Sequence, residues 1–220
     1  FLLQPLFDYY SYKELESLKQ NKSFNRTLGF DHIYVVHLDH RTDRRKRLDN
    51  IASYLGLDID YFSALSKDDE RVLNRYGTSE LSPPQKATYL SHYFLYKLMV
   101  DKNYNNILIL EDDADFELNI TAIMTDIHSD LPSSWEILFV GHCFEATGDQ
   151  VGETSSVHRL YRSIFPMCSH AYAISYSGVR KLIELLDPMI PRGPIDYSLM
   201  VVIEEGKISS STTHSAVESF

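Results

Sequence analysis

ILILEDDADF, residues 107–116, decides how this chain is read. Four apolar residues run directly into Glu111, Asp112, Asp113 and, after Ala114, Asp115. A short apolar run of this kind suits a strand buried on both faces. Carboxylates crowded behind it repel one another, and the repulsion falls if a cation sits among them. Mg2+ and Mn2+ take oxygen ligands and typically keep positions open for phosphate oxygens. The strand end is therefore a candidate metal site, to be weighed against a solvated acidic turn.

Working outward, the chain alternates between the two periods. IYVVHL from Ile33 reads as another buried strand, and Leu48, Ile51 and Leu55 share one face of the helix that follows. DIDYFSAL, residues 58–65, reads as a second strand. A helix opens at Ser82-Pro83, where Ser suits the cap and Pro the first turn, and runs to about Asp101. Asn106–Leu110 is the next strand, Ile120–Ile127 a short helix and Trp135–Val140 a strand ended by Gly141. Val157–Arg162 and His170–Ser175 have strand character, and Ser177–Leu186 is helical. After the turn PMIPRGP, Asp196 caps a last helix, and a polar strand lies near the C-terminus. Strands alternating with helices predict an α/β fold with a mostly parallel central sheet and helices on both faces. Residues 31–220 form one domain on this reading, and residues 1–30 are an irregular or partly helical lead-in.

In such sheets ligands collect outside the carboxyl ends of the strands. That rule puts His37 to Arg45, the EDDAD run and Gly141-His142 on one rim. Arg41, Arg44 and Arg45 can make forked bonds to phosphate oxygens, although a helix start with arginines facing water is the plainer reading. His142 is placed to line the cleft or to pack behind it. Ser91-His92 falls mid-helix and reads first as an ordinary helix face. Asp196 is either an N-cap or a carboxylate aimed at the cleft as a general base. GxGxxG after the first strand, GxxxxGK, GxSxG and HExxH are all absent from the sequence. Dinucleotide binding, P-loop hydrolysis and nucleophilic-serine or zincin chemistry thereby lose their sequence support.

A net charge of -10 argues against nucleic acid or an anionic membrane as partner. Two cysteines, Cys143 and Cys168, make one disulfide or two buried thiols, and cannot form a tetrahedral zinc site alone. Sequons at Asn21, Asn25 and Asn119 favour the secretory pathway. The sequence contains no apolar run long enough to span a bilayer, so membrane attachment would need a segment absent from this chain. The first residue is Phe1, which reads as a processed or trimmed start.

IYVVHLDHRTDRRKRL, SPPQKATYLSHYFLYKLM and NILILEDDADF, followed by WEILFVGHC, PMCSHAYAISYSGVRKLIELL and GPIDYSLM, resemble glycosyltransferase family 25 in the same order. The resemblance runs over roughly residues 32–200. It implies a GT-A-like fold, Mn2+ or Mg2+, and a UDP-sugar donor, UDP-galactose or UDP-glucose, with inverting transfer to a hydroxyl of a glycan, protein or lipid. EDD looks like the family's version of the DxD motif. Glu111 and Asp113 would be its metal ligands, Asp115 an outer or substitute ligand, and Asp112 would lie nearer the donor ribose or sugar. His37, Leu38, Arg41, Asp43 and Arg44 resemble the nucleotide-side signature, with His37 standing where Asn is usual. The Ser91-His92 helix resembles the family's SH-containing helix, and Asp196 its acidic position after the Pro-rich turn. The arrangement around Gly141-His142-Cys143 and Cys168 is similar to a fungal-type branch, which implies a Cys143–Cys168 disulfide and the Golgi lumen. A metal-dependent phosphohydrolase and a non-catalytic sugar- or protein-binding member are the competing readings.

Overall fold

The computed structural model describes residues 26–75, 80–152, 158–213 and 217–219. Most of the expected lead-in, and the sequons at Asn21 and Asn25, lie outside the described residues. The elements in order are β1 (His32–His37), α1 (Thr42–Leu55), β2 (Asp60–Ser63), a π-helical turn (Arg71–Arg75), α2 (Pro83–Lys102), β3 (Asn106–Glu111), β4 (Ala114–Phe116) and α3 (Ile120–Asp130). There follow β5 (Ile137–Gly141), β6 (Thr147–Val151), β7 (Leu160–Ser163), β8 (Ala171–Ser175), α4 (Tyr176–Leu185), α5 (Ile195–Glu204), β9 (Ser210–Thr213) and β10 (Val217–Ser219).

The main sheet has the order β2-β1-β3-β8-β5-β9-β7-β6, and β4 pairs with β10 in a separate two-stranded ribbon. An α/β architecture around a central sheet is as expected, but the mostly parallel arrangement is not. β1 runs parallel to β2 and β3, and β5 parallel to β9. β8 is antiparallel to both β3 and β5, and the β6–β7 and β7–β9 pairs are antiparallel too. The sheet is mixed. AYAIS is apolar on both faces, which a buried central strand requires whichever way it runs. Strand direction is therefore invisible in that pattern.

Alternation along the strands sorts side chains between two cores. Leu108 and Leu110 of β3, Leu138 and Val140 of β5, and Ala171 and Ala173 of β8 face one layer with α1 and α3. Ile107 and Ile109, Ile137 and Phe139, and Tyr172 and Ile174 face the other, with α2, α4 and α5. Each fully buried Leu or Ile contributes about 1.5–3 kcal/mol relative to exposure. Both faces are thus sealed, and the open positions are left at the strand ends. α2 begins where expected: Ser82 and Gln85 form a capping box, with Pro in the first turn. At α4, Gly178 is obligatory for close packing, because a Cβ there would meet Glu136 O at 2.4 Å.

Candidate active site

β1 and β3 run parallel, so their carboxyl ends bring His37 and Glu111 to one rim. Because β8 runs the opposite way, the residues entering it arrive at that same rim. Glu111 N–H donates to His170 O at 2.9 Å. Two clefts open there. The first, about 420 Å3, is lined by Leu38, His40 and Arg44 after β1, Ser66 and Lys67 after β2, and Thr88, Ser91 and His92 of α2. The second, about 320 Å3, is lined by Asp113, Cys143, Cys168, Ser169, His170 and Asp196. Pro84, Thr88 and Glu111 line both and form the ridge between them.

The carboxylates of the EDDAD run have divided duties. Asp112, only 7% exposed, is committed to protein donors: Arg44 Nη1 binds Oδ1, and His37 Nδ1 lies 3.2 Å from Oδ2. Arg44 also donates to Asp113 Oδ2 at 3.2 Å. Asp115 pairs with Arg47 at 3.3 Å on β4 and lines neither cleft. Glu111 differs from the other three. Ser169 Oγ donates to its Oε1 at 2.7 Å, and among the described residues no Lys or Arg lies within ion-pair reach of it. Burial, opposed by the Ser169 bond and reinforced by the charges of Asp113, Asp196 and Asp112, pushes its carboxyl up to about 7.

Excess negative charge around Glu111 is the imbalance that a divalent cation would relieve. Among the described residues the carboxylates do not gather into a three-ligand set; the group with all its ligand atoms within 4.8 Å is Cys143, Cys168 and His170. Both sulfurs of that group are joined in a disulfide, with the Cα atoms 5.7 Å apart, so they offer no thiolates. A hard cation bound through one or two carboxylates plus phosphate oxygens fits Glu111 and Asp113 without a protein cage.

The other expected residues separate. Leu38 and Arg44 reach the first cleft and Asp196 the second. Pro194, not Asp196, is the N-cap of α5; Asp196 sits in the first turn and accepts from Tyr197 N–H at 2.9 Å. His37 is buried beneath Asp112. Arg41 is clamped to Asp43 by two bonds of 3.0 and 2.8 Å, which hold the Asp43 carboxyl below the usual range, and neither residue lines a cleft. Arg45 lies over the Tyr61 ring, and His142 Nε2 contacts Thr213 O at 3.1 Å.

Residues not foreseen for the site include His40, Lys67, Thr88, Ser169 and His170. Pro84, Thr88 and His92 had a signal: spaced four apart on α2, they form one helix face. His92 is fully buried, and burial pushes its imidazole down to about 4, so its 3.7 Å approach to Glu111 is a contact of a neutral ring and not an ion pair.

A profile described as "Glycosyltransferase family 25 (LPS biosynthesis protein)" matches residues 30–199. "Glycosyltransferase 25 family member" of Aedes aegypti is 26% identical over 203 residues, covering 85% of this chain and 33% of that protein. "Procollagen galactosyltransferase 1-A" of Xenopus laevis is 25% identical, with 85% and 33% covered, and "Procollagen galactosyltransferase 2" of Mus musculus is 22% identical, with 83% and 32% covered. The chain thus spans about a third of the length of these relatives. They are animal proteins, which overturns the expected fungal-type branch; the disulfide that accompanied that expectation is nonetheless present.

Proposed function

The chain belongs to glycosyltransferase family 25, and from that premise we propose that its GT-A-like domain transfers a hexose from a UDP-sugar to an acceptor hydroxyl with inversion. The observation that carries the reading is the pair of clefts meeting at Glu111. The first holds Arg44, Lys67 and His40, groups suited to a nucleoside diphosphate, and the second holds Asp113 and Asp196, suited to a hydroxyl nucleophile.

Glu111 and Asp113 would hold Mn2+ or Mg2+, which when bound supplies positive charge against the diphosphate as it leaves. Arg44 orients both aspartates after Glu111 and adds fixed positive charge to the donor cleft. Asp196 takes the proton of the acceptor hydroxyl while its oxygen bonds to the anomeric carbon, opposite the departing UDP, which leaves with the bonding electron pair. General-base assistance of this kind is worth about 10²- to 10⁴-fold in rate. The sealed cores on both faces hold these groups on rigid strand ends, which limits the reorganisation needed at reaction.

Two of the relatives are named procollagen galactosyltransferases, so galactose and a protein hydroxyl are the first donor sugar and acceptor to test. The disulfide suits an oxidising compartment, and we assign the chain to the secretory pathway, in the Golgi lumen. The decisive experiment is calorimetric titration with UDP-galactose and UDP-glucose, in Mn2+ and in EDTA, on the wild type and on Asp113→Ala. Mn2+-dependent binding that Asp113→Ala loses is the expected result. Equal binding in Mn2+ and EDTA, or none in a folded chain, would overturn the reading.

A further inference from the structure

His92 carries a buried nitrogen that the fold leaves without a partner. The side chain is 0% exposed, its Nε2 makes no hydrogen bond, and that nitrogen lies 3.7 Å from Glu111 Oε1. A buried polar atom left unmatched costs about 1–3 kcal/mol. The other ring nitrogen is well served: Nδ1 is 2.8 Å from Tyr172 OH, which is 2.5 Å from Tyr96 OH. Both tyrosines are fully buried, and the Tyr172 ring stacks on the imidazole at 5.8 Å between centroids.

Proton counting along this chain selects a tautomer. If Tyr96 donates to Tyr172 and Tyr172 donates to Nδ1, the remaining ring proton is on Nε2 and points toward Glu111. The reverse order would leave a bare Nε2 lone pair facing a carboxylate oxygen. Glu111 in its ionised form, the form that binds a cation, favours the first arrangement. At 3.7 Å the contact is longer than the 2.7–3.2 Å of an N–H···O bond, so the donor stands beside Glu111 without yet gripping it.

We propose that His92 is a positioning residue for Glu111: its Nε2–H, fixed by the buried Tyr172–Tyr96 pair, closes on the carboxylate and holds it in the orientation that receives the divalent cation. Ser169 grips Oε1 from the β8 side, and His92 supports it from α2. Groups that orient a metal-binding side chain in this way typically change metal affinity about 10- to 100-fold when removed. The inference rests on the donor-site reading given above.

The test compares His92→Gln, whose side-chain amide can reach the Nε2 position, with His92→Asn, whose shorter amide reproduces only the Nδ1 side. UDP affinity is measured by calorimetry in Mn2+ and in EDTA, with free Mn2+ followed independently by its electron paramagnetic resonance signal. His92→Asn is expected to lose at least 10-fold in the Mn2+-supported affinity, a larger fall than in EDTA, and His92→Gln to retain most of it. Equal affinities in the two variants, or an equal fall in Mn2+ and EDTA, would overturn the positioning role. If the wild type itself shows no Mn2+ dependence, the donor-site reading fails, and this inference fails with it.

Discussion

Ser169 Oγ donates to Glu111 Oε1 at 2.7 Å across the junction where β8 enters between β3 and β5. This bond gives one member of the carboxylate run a fixed donor from the segment leading into a strand of opposite direction. Ser169→Ala removes it while leaving the Glu111 backbone bond to His170 O in place. The expected outcome is a loss of about 10-fold or more in Mn2+-supported UDP affinity, with UDP affinity in EDTA unchanged, read by calorimetry.

Arg44 is the cation shared by Asp112 and Asp113, and its own side chain is 31% exposed. Arg44→Met leaves two neighbouring carboxylates without their guanidinium. Stability should fall by about 1.5–3 kcal/mol, the range for hydrogen bonds to charged groups, measured by urea unfolding. Adding Asp112→Asn to Arg44→Met should recover part of the loss, because the two residues act as a pair. Strictly additive losses would show that they do not.

The Cys143–Cys168 disulfide closes a loop of 25 residues and holds the second cleft's wall. On the chain-entropy account such a loop stabilises the fold by about 3–4 kcal/mol. Cys143→Ser/Cys168→Ser should therefore melt well below the wild type. Treating the wild type with a thiol reductant should reproduce the double variant's melting temperature, and should leave the double variant unaffected.

His128 supplies a pH dependence away from the site. It packs over Gly29, whose positive φ of 86° disfavours a side chain and where a Cβ would meet Nε2 at 2.6 Å. Burial lowers the His128 pKa, against a 2.8 Å bond to Leu28 O that raises it. The folded chain then resists a proton that the unfolded chain accepts near the ordinary value of about 6.5. Stability is fully present above that pH and is lost as the pH falls toward the folded value. Melting temperatures between about pH 7.5 and 5.5 should fall more steeply for the wild type than for His128→Gln.

The parts of the fold legible in the sequence are those where local pattern and burial coincide. β1, β3, α2 and α4 fall within one or two residues of where periodicity and capping put them, because a two-faced apolar strand and a Ser-Pro helix start are local facts. Strand direction at β8 is a tertiary fact, and no residue of AYAIS encodes it. β4 escaped notice because its three residues, Ala114–Phe116, sit inside the acidic run, and its partner β10 is a hundred residues away in the chain. β9 is polar in composition, SSTT, yet buried throughout, which the sequence pattern does not announce. Of the residues that line the two clefts, Glu111, Asp113, Arg44 and Asp196 were legible as residue types at strand and helix ends. Ser169 and His170 were not, since they reach the rim only because β8 runs backwards.

The placement of β8 constrains the order in which the molecule can be built. β3 and β5 precede it in the chain, yet they are not neighbours; β8 lies between them and pairs with both. A nascent chain that has made β1, β2 and β3 must hold β5 apart, or release it, until residues 171–175 arrive to fill the gap. Closing loops of that length before any contact rewards them slows folding. Cys143 and Cys168 flank this junction, so oxidation of the pair would mark the moment at which β3, β8 and β5 are joined and the rim around Glu111 is closed, before β9 arrives to link β5 to β7.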